Sequence, residues 1–445
     1  MREKDVKGIT LIALVITIII LLILAGISIA MLTGENGILT KANTSKQETT
    51  KQGAKEKVQV EVMGSYDNNG KINLEELNGN LKNNISNLTY QGQPISNSNK
   101  IENLPEMVTV DGYEIEIKEN GEVIIVGEQQ EEPKKTLPST ADTKPFLPDG
   151  ATVLEDKLDK GVVIKDSSEN EWVWIEVPKS IYPEGTEKTE HSAIETAMQT
   201  YAKDYRQSGY SDTFYSTAQH GFKDSTDYDD WKKSMLESVF TNGGFYIGRY
   251  EIGTTTPRTN KSEALTTPYI KQDLYPCNFI TCAQAQELAK QLSTGGRQAS
   301  LMFGIQWDLI LKHIEEKGAK TQNELKTDSS SWGNYNNVTF EITRGEYTTA
   351  PSTSGSWNAI TTYTKPASNV LLTTGGTDRN SILNIHNLAG NVKENTLERT
   401  SNNTSPCACR GGYYRISGNA QPACYRAGET TIYSIYDIGA RPALW

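Results

Sequence analysis

The side chains of this chain best suited to chemistry are five cysteines, Cys277, Cys282, Cys407, Cys409 and Cys424, all in its C-terminal half. Thiolates attack, ligate soft metals or pair as disulfides, and spacing narrows the choice. No two Cys-x-x-Cys pairs occur, so a structural zinc site is not expected. An odd number outside the cytoplasm leaves at least one thiol unpaired or shared with another chain. Cys277 and Cys282 are near enough in sequence for a local bridge, although Cys282 also fits the buried face of a helix. The four histidines, His191, His220, His313 and His386, lie far apart. There is no Gly-x-Ser-x-Gly elbow, Walker loop or His-Glu-x-x-His motif to open another route to catalysis.

Binding chemistry is better supplied. Tyr413, Tyr414, Tyr425, Tyr433 and Tyr436 stand with Arg415 and Arg426 near the C-terminus, and these residue types dominate binding hot spots. The alternative for some of them is core packing, since tyrosines are often partly buried. A net charge of −11 without any dense basic run argues against a nucleic-acid partner, whose phosphates reward clustered Lys and Arg.

The elements that position these residues come from a long chain. At 445 residues it is expected to form two or three domains. Strand signals stand at 171–177 and 244–251. A helix is expected from Cys282 to Leu292, with Thr281 and Gln284 as a capping box and Cys282, Ala285, Leu288, Ala289 and Leu292 facing inward. A second is expected over 305–316, burying Leu309, Ile310 and Ile314 and stopped by Gly318. The rest of the outer segment reads as short strands and long loops. Residues 129–149 carry four prolines and many charges, and read as a semi-rigid linker. Before it, residues 63–128 alternate apolar positions around Asp111-Gly112 and Asn120-Gly121, which are hairpin dipeptides. Ser65 to Glu76 has the spacing of a calcium loop, but a glycine-containing turn suits it better.

The N-terminus sets the address. Ile9 to Thr33 is an uncharged run of 25 residues, long enough to cross a bilayer, which needs about 20. Arg2, Lys4 and Lys7 precede it and are expected to hold the start of the chain in the cytoplasm. The junction Lys7-Gly8-Ile9-Thr10-Leu11 lies before the apolar run and resembles a type IV prepilin. That resemblance implies cleavage between Gly8 and Ile9 by a prepilin peptidase, methylation of the new terminus, and pilin-like subunits as partners. Ala13 stands where most major pilins have glutamate. This departure points to a minor or tip pilin, or to a protein left in the membrane, and a plain single-pass anchor is the alternative.

A second resemblance runs through the outer segment. GGFYIGRYEI, the helix after Ile280-Thr281, the helix near Gln306-Trp307, Asn387 to Glu394 (NLAGNVKE), Arg410-Gly411-Gly412 and Gly439-Ala440-Arg441-Pro442 follow one another. Together they resemble the formylglycine-generating (sulfatase-modifying factor) family, which implies a C-type lectin-like fold. Lys393 and Asn395 replace two tryptophans of that family's pattern, and Ala440 replaces a phenylalanine. Such positions are therefore expected to be exposed or repacked, because cutting a buried Trp or Phe to Ala costs about 3–5 kcal/mol. The family's enzymes use two close cysteines that bind copper. Cys424 resembles the second, and no cysteine lies between Gly411 and Ala423 to match the first. A non-catalytic protein without copper is expected, since one thiol cannot supply a two-sulfur Cu(I) site. The resemblance also implies a structural calcium on Asn387, Gly390, Val392 and Glu394, with oxygen ligands of the kind calcium takes. The competing reading pairs Glu394 with Arg410 or Arg426. From Cys407 to Trp445, pieces such as RGG and RPAL alternate with chemically mixed runs. This resembles the variable region of proteins altered by diversity-generating retroelements.

The expected fold class is α+β. It comprises a leader (1–8), a transmembrane and stalk helix (9–62), a small pilin-like β domain (63–128), a linker (129–149) and a lectin-like domain (150–445). The expected function is that of a bacterial adhesin, membrane-anchored with its outer domain extracellular or assembled in a type IV pilus or pseudopilus. Its protein or glycan ligand would meet Lys393, Asn395, Tyr414, Arg415, Asn419, Glu429, Tyr433, Tyr436 and Asp437. The alternatives are an anchored formylglycine-generating-type oxidase and a purely structural pilus component.

Overall fold

The computed structural model describes residues 38–67, 70–126, 135–216, 221–353, 355–360 and 363–445, with side chains from Thr49 onward. The Gly8–Ile9 junction and the apolar run 9–33 lie outside these residues. Among the described residues no helix is long and apolar enough to cross a membrane. The chain divides into two compact units, one up to residue 132 and one from 133. The first combines helices with one antiparallel sheet, and the second combines helices with several sheets.

The first unit opens with α1 (Ile38–Met63). Its apolar stripe is thin but regular: Ala54, Val58 and Val62 recur every four residues and are fully buried. They share a core with Leu77 and Leu81 of α2 (Leu74–Asn84) and with a four-stranded meander. That meander is β1 (Leu88–Tyr90), β2 (Glu106–Val110), β3 (Tyr113–Ile117) and β4 (Val123–Ile125). Asp111 and Gly112 both take positive φ between β2 and β3, as the dipeptide predicts. Tyr66 and Ile72 form an antiparallel bridge, and the Lys71 amide donates to Asp67 Oδ1 at 2.9 Å. Ser65 is fully buried and donates to the Glu61 carbonyl, so it is not turned toward any calcium loop.

The second unit is built on a six-stranded antiparallel sheet. Its strands are β5 (Thr152–Glu155), β6 (Val163–Lys165), β7 (Glu171–Glu176), β8 (Gly244–Gly248), β9 (Ala299–Leu301) and a last strand, Pro442–Leu444. That last strand lies between β9 and β8. Trp172, Val173, Trp174 and Ile175 are buried on both faces of β7, which is why that stretch reads as continuous rather than alternating. The segment read as linker contributes to this core from its second half. Phe146 meets the rings of Trp174 and Tyr246 edge-on at 5.7 and 5.1 Å, and Thr143 Oγ1 accepts from Trp174 Nε1.

Helices α3 (His191–Tyr201) and α4 (Ser225–Asn242) were not legible in the sequence. Each has a sparse buried stripe, Ile194 and Met198 in one and Tyr228, Met235, Leu236 and Val239 in the other. Helices α5 (Cys282–Gln291) and α6 (Gly304–Glu316) form where periodicity places them, and the Thr281–Gln284 capping box is present. A second sheet joins β10 (Lys393–Thr400), β11 (Cys407–Arg410), β12 (Arg426–Glu429) and β13 (Ile438–Ala440), with β13 parallel to β10. From here on, β14 denotes Pro442–Leu444.

Candidate functional site

Three of the nine predicted contact residues, Lys393, Asn395 and Glu429, lie on the second sheet. Its strands are short and interrupted, and β10 shifts register between Asn395 and Arg399. Glu398 of β10, Arg410 of β11 and Arg426 of β12 turn toward α6 and close a buried charge network with Asp308. Arg426 reaches both Asp308 oxygens at 2.6 and 2.8 Å, Arg410 reaches Asp308 at 2.7 Å and Glu398 at 2.9 Å, and Arg206 adds a third guanidinium at 3.2 Å. Arg426 is thereby removed from the binding candidates: it is a core residue.

Lys393, at the start of β10, gathers a different group. Its ammonium donates to Glu429 Oε1 at 2.5 Å and stands 5.3 Å from the ring centres of both Tyr413 and Tyr433. Burial works against the charge of Lys393, yet Cys409, Asp437 and Glu429 outweigh it and raise its pKa above the ordinary lysine value. Asp437 is pushed the other way for a carboxylate: burial raises its pKa, with Lys393 opposing and Glu429 reinforcing. Its Oδ1 is buried without a hydrogen-bond donor. Arg415 lies over the Tyr436 ring at 4.9 Å and donates to the Tyr436 hydroxyl. The structure thus brings Lys393, Glu429, Tyr433 and Asp437 into one cluster, with Tyr413 as the member that residue-by-residue reading left off the contact set. Tyr436 and Arg415 adjoin it.

Four predicted contacts are not surface groups, Asp437 at 4% exposure among them. Lys393 and Asn395 stand where the family pattern has tryptophans, and both are buried, at 6% and 3% exposure. Those positions are repacked rather than exposed. Asn395 is spent on structure, donating to the Gly439 carbonyl and accepting from the Cys409 thiol. Tyr414 packs with Leu371 and Val392 beneath the cluster. Asn419 is exposed on a turn that Ser329 and Asn337 hold through Gly418, and among the described residues it joins none of the contacts around Lys393. The aromatic edge continues through residues from distant loops. Phe279 meets Tyr436 at 6.2 Å, and Trp357, like Tyr413 and Tyr436, packs on the cluster of Leu371, Val392 and Tyr414 while meeting Tyr275 at 4.9 Å. No local pattern announces Phe279, Trp357 or Tyr275, because only the fold brings their loops here.

The loop matched to a calcium site has its charge met from within. Both Glu394 oxygens accept from Arg441, at 2.8 to 3.2 Å, and not from Arg410 or Arg426. Burial raises the Glu394 pKa to about 7, with Arg441 opposing. Asn387 donates to Glu251, Gly390 accepts no Cβ because one would stand 2.3 Å from the Asn334 carbonyl, and Val392 packs with Tyr414. Arg441 thus meets the charge of Glu394, whereas Asn387 Oδ1 is buried without a hydrogen-bond donor among the described residues. Cys409 is surrounded by Lys393, Glu429, Cys407 and Asp437, whereas Cys424 faces the Lys326 carbonyl near Arg410 and Arg426.

Comparison with known proteins adds one finding. No protein-family model and no curated protein matches the chain. Among solved structures, Treponema denticola variable protein 1 aligns over 45% of this chain and 84% of its own length, at 15% identity and a TM-score of 0.26.

Proposed function

We propose that this chain is a bacterial surface adhesin, anchored in the membrane or carried as a minor or tip pilin-like subunit. It binds an extracellular protein or glycan through the C-terminal face of a lectin-like outer unit, whose face is of the diversified kind. The observation that supports the reading is the cluster around Lys393. A carboxylate oxygen without a donor, an ammonium with one bond made, and three half-buried tyrosines (Tyr413, Tyr433 and Tyr436) meet at one sheet edge. Aromatic surface with a few fixed polar groups is what binding hot spots are made of. A non-catalytic role agrees with the separate surroundings of Cys409 and Cys424.

The test is binding of the full chain, held in detergent, to arrays of glycans and of surface proteins, beside Tyr433→Ala, Tyr436→Ala and Asp437→Asn. Loss of a specific signal by tenfold or more in variants that keep the parent's unfolding midpoint is expected. Variants that bind as the parent does would remove this face from the proposal.

A further inference from the structure

Two of the five cysteines, from segments more than a hundred residues apart, meet in one buried place. Cys282 opens α5, and its thiol donates to the Thr396 carbonyl at 3.4 Å. Thr396 in turn donates its hydroxyl to the Ala408 carbonyl, between Cys407 and Cys409 on β11. Tyr215 reaches the Cys407 sulfur at 3.7 Å. Cys282 and Cys407 sit in the same apolar core, each 2% exposed. A hydrogen bond between these two thiols, with burial, holds Cys282 well above the ordinary thiol pKa.

The other cysteines have different company. All five thiols are free in this structure, and Cys277 is buried beside Arg258. Cys409 gives its hydrogen to Asn395, and Cys424 faces Lys326. Cys407 and Cys409 are two apart on one strand, which puts their Cα atoms about 6.6 Å apart, at the far limit for a disulfide.

We propose that Cys282 and Cys407 are the partners of a disulfide that joins α5 to β11 when the chain folds in an oxidising compartment. The oxidant is a disulfide supplied from outside, such as oxidised glutathione or a dithiol oxidase. One protein thiolate attacks the oxidant's disulfide and releases its first thiol. The second protein thiolate then displaces the other. Two thiols and one glutathione disulfide give one protein disulfide and two glutathione thiols, with both protein protons carried away. Because the Cys282 thiol stays protonated in the folded unit, the bond forms during folding, before α5 seals the core.

The experiment refolds the full chain in detergent with a glutathione redox buffer, caps remaining thiols with N-ethylmaleimide in denaturant, and maps peptides by mass spectrometry. A linked peptide joining Cys282 to Cys407, two hydrogens lighter than its parts and lost on reduction, is expected. It persists in Cys277→Ser, Cys409→Ser and Cys424→Ser. Quantitative capping of Cys282 and Cys407 overturns the proposal, and so does a link from either of them to another cysteine. Reduction should lower the unfolding midpoint of the parent and leave that of Cys282→Ala unchanged. An equal response in both overturns the assignment.

Discussion

Replacing Glu398 with glutamine isolates what the buried charge network contributes. The side chain keeps its volume, so packing around Arg410 and Arg426 is unchanged while one of two carboxylates facing three guanidiniums is neutralised. Asp308 alone then compensates Arg410 and Arg426, which are 0% and 6% exposed. Removing one partner of a buried pair costs about 3–5 kcal/mol, because the charge left behind is uncompensated. A unit of about 300 residues has an unfolding entropy of roughly 0.6 kcal/mol per degree, so the midpoint should fall by about 5–8 °C. Thermal unfolding followed by circular dichroism at pH 7 measures it. The pH dependence gives a second reading. Burial alone would raise the Glu398 pKa, but Arg410 and Arg426 outweigh it and hold it below the ordinary value. A carboxylate depressed in the folded state stabilises above its unfolded pKa of about 4.3, and that contribution is lost as pH falls through the folded value. The gap between parent and Glu398→Gln should therefore close in acid. A drop under about 2 °C at pH 7, or a gap undiminished at pH 2, refutes the assignment of the effect to charge.

Other outcomes follow from the same geometry. Phe146→Ala should cost about 3–5 kcal/mol, and an outer unit begun at residue 150 should unfold earlier than one begun at 135, as calorimetry would show. Tyr414→Ala should destabilise by a similar amount, whereas half-buried Tyr433→Ala should weaken binding and leave the midpoint nearly unmoved. Asp212, which accepts from the Gly304 and Ile305 amides, has its pKa raised to about 6, chiefly by burial. The folded unit then holds a proton the unfolded chain has lost, so stability falls as pH rises from about 4 to 6, and Asp212→Asn should flatten that slope in urea titrations. Gly244→Ala should prevent β7 and β8 from pairing, because its Cβ would stand 2.3 Å from the Ile175 carbonyl at a φ of +157°. A protease-resistant variant would contradict this.

Much of the frame could be read from residues alone. The hairpin at Asp111-Gly112, the capping box at Thr281 and the strands at Trp172 and Phe245 carry their own local signals, and those elements form. Helix α4 shows the limit: Asp224 caps it and Gly243 ends it, yet charged residues crowd its exposed face and its stripe of four buried residues is easily lost among them. The candidate site was legible in type more than in placement. Tyr433, Glu429 and Asp437 do meet Lys393, but only strand pairing shows that Asn395 and Arg426 face the interior. Burial is a property of register, and a register shift inside β10 is invisible to any count of alternation. Glu394 finds Arg441 for the same reason, since the parallel pairing of β10 with β13 brings the neighbouring strand's arginine close.

The position of β14 has a consequence for how the molecule is made. Residues 442–444 fill a slot between β9 and β8, so this sheet stays split into two pieces until those residues have left the ribosome. Strands β5 to β8 can meanwhile zip together, but they present an open edge along β8, the kind of edge that recruits other chains. A nascent chain of this protein is therefore most exposed to aggregation in the interval before its last strand arrives, and a holding chaperone would act in that interval.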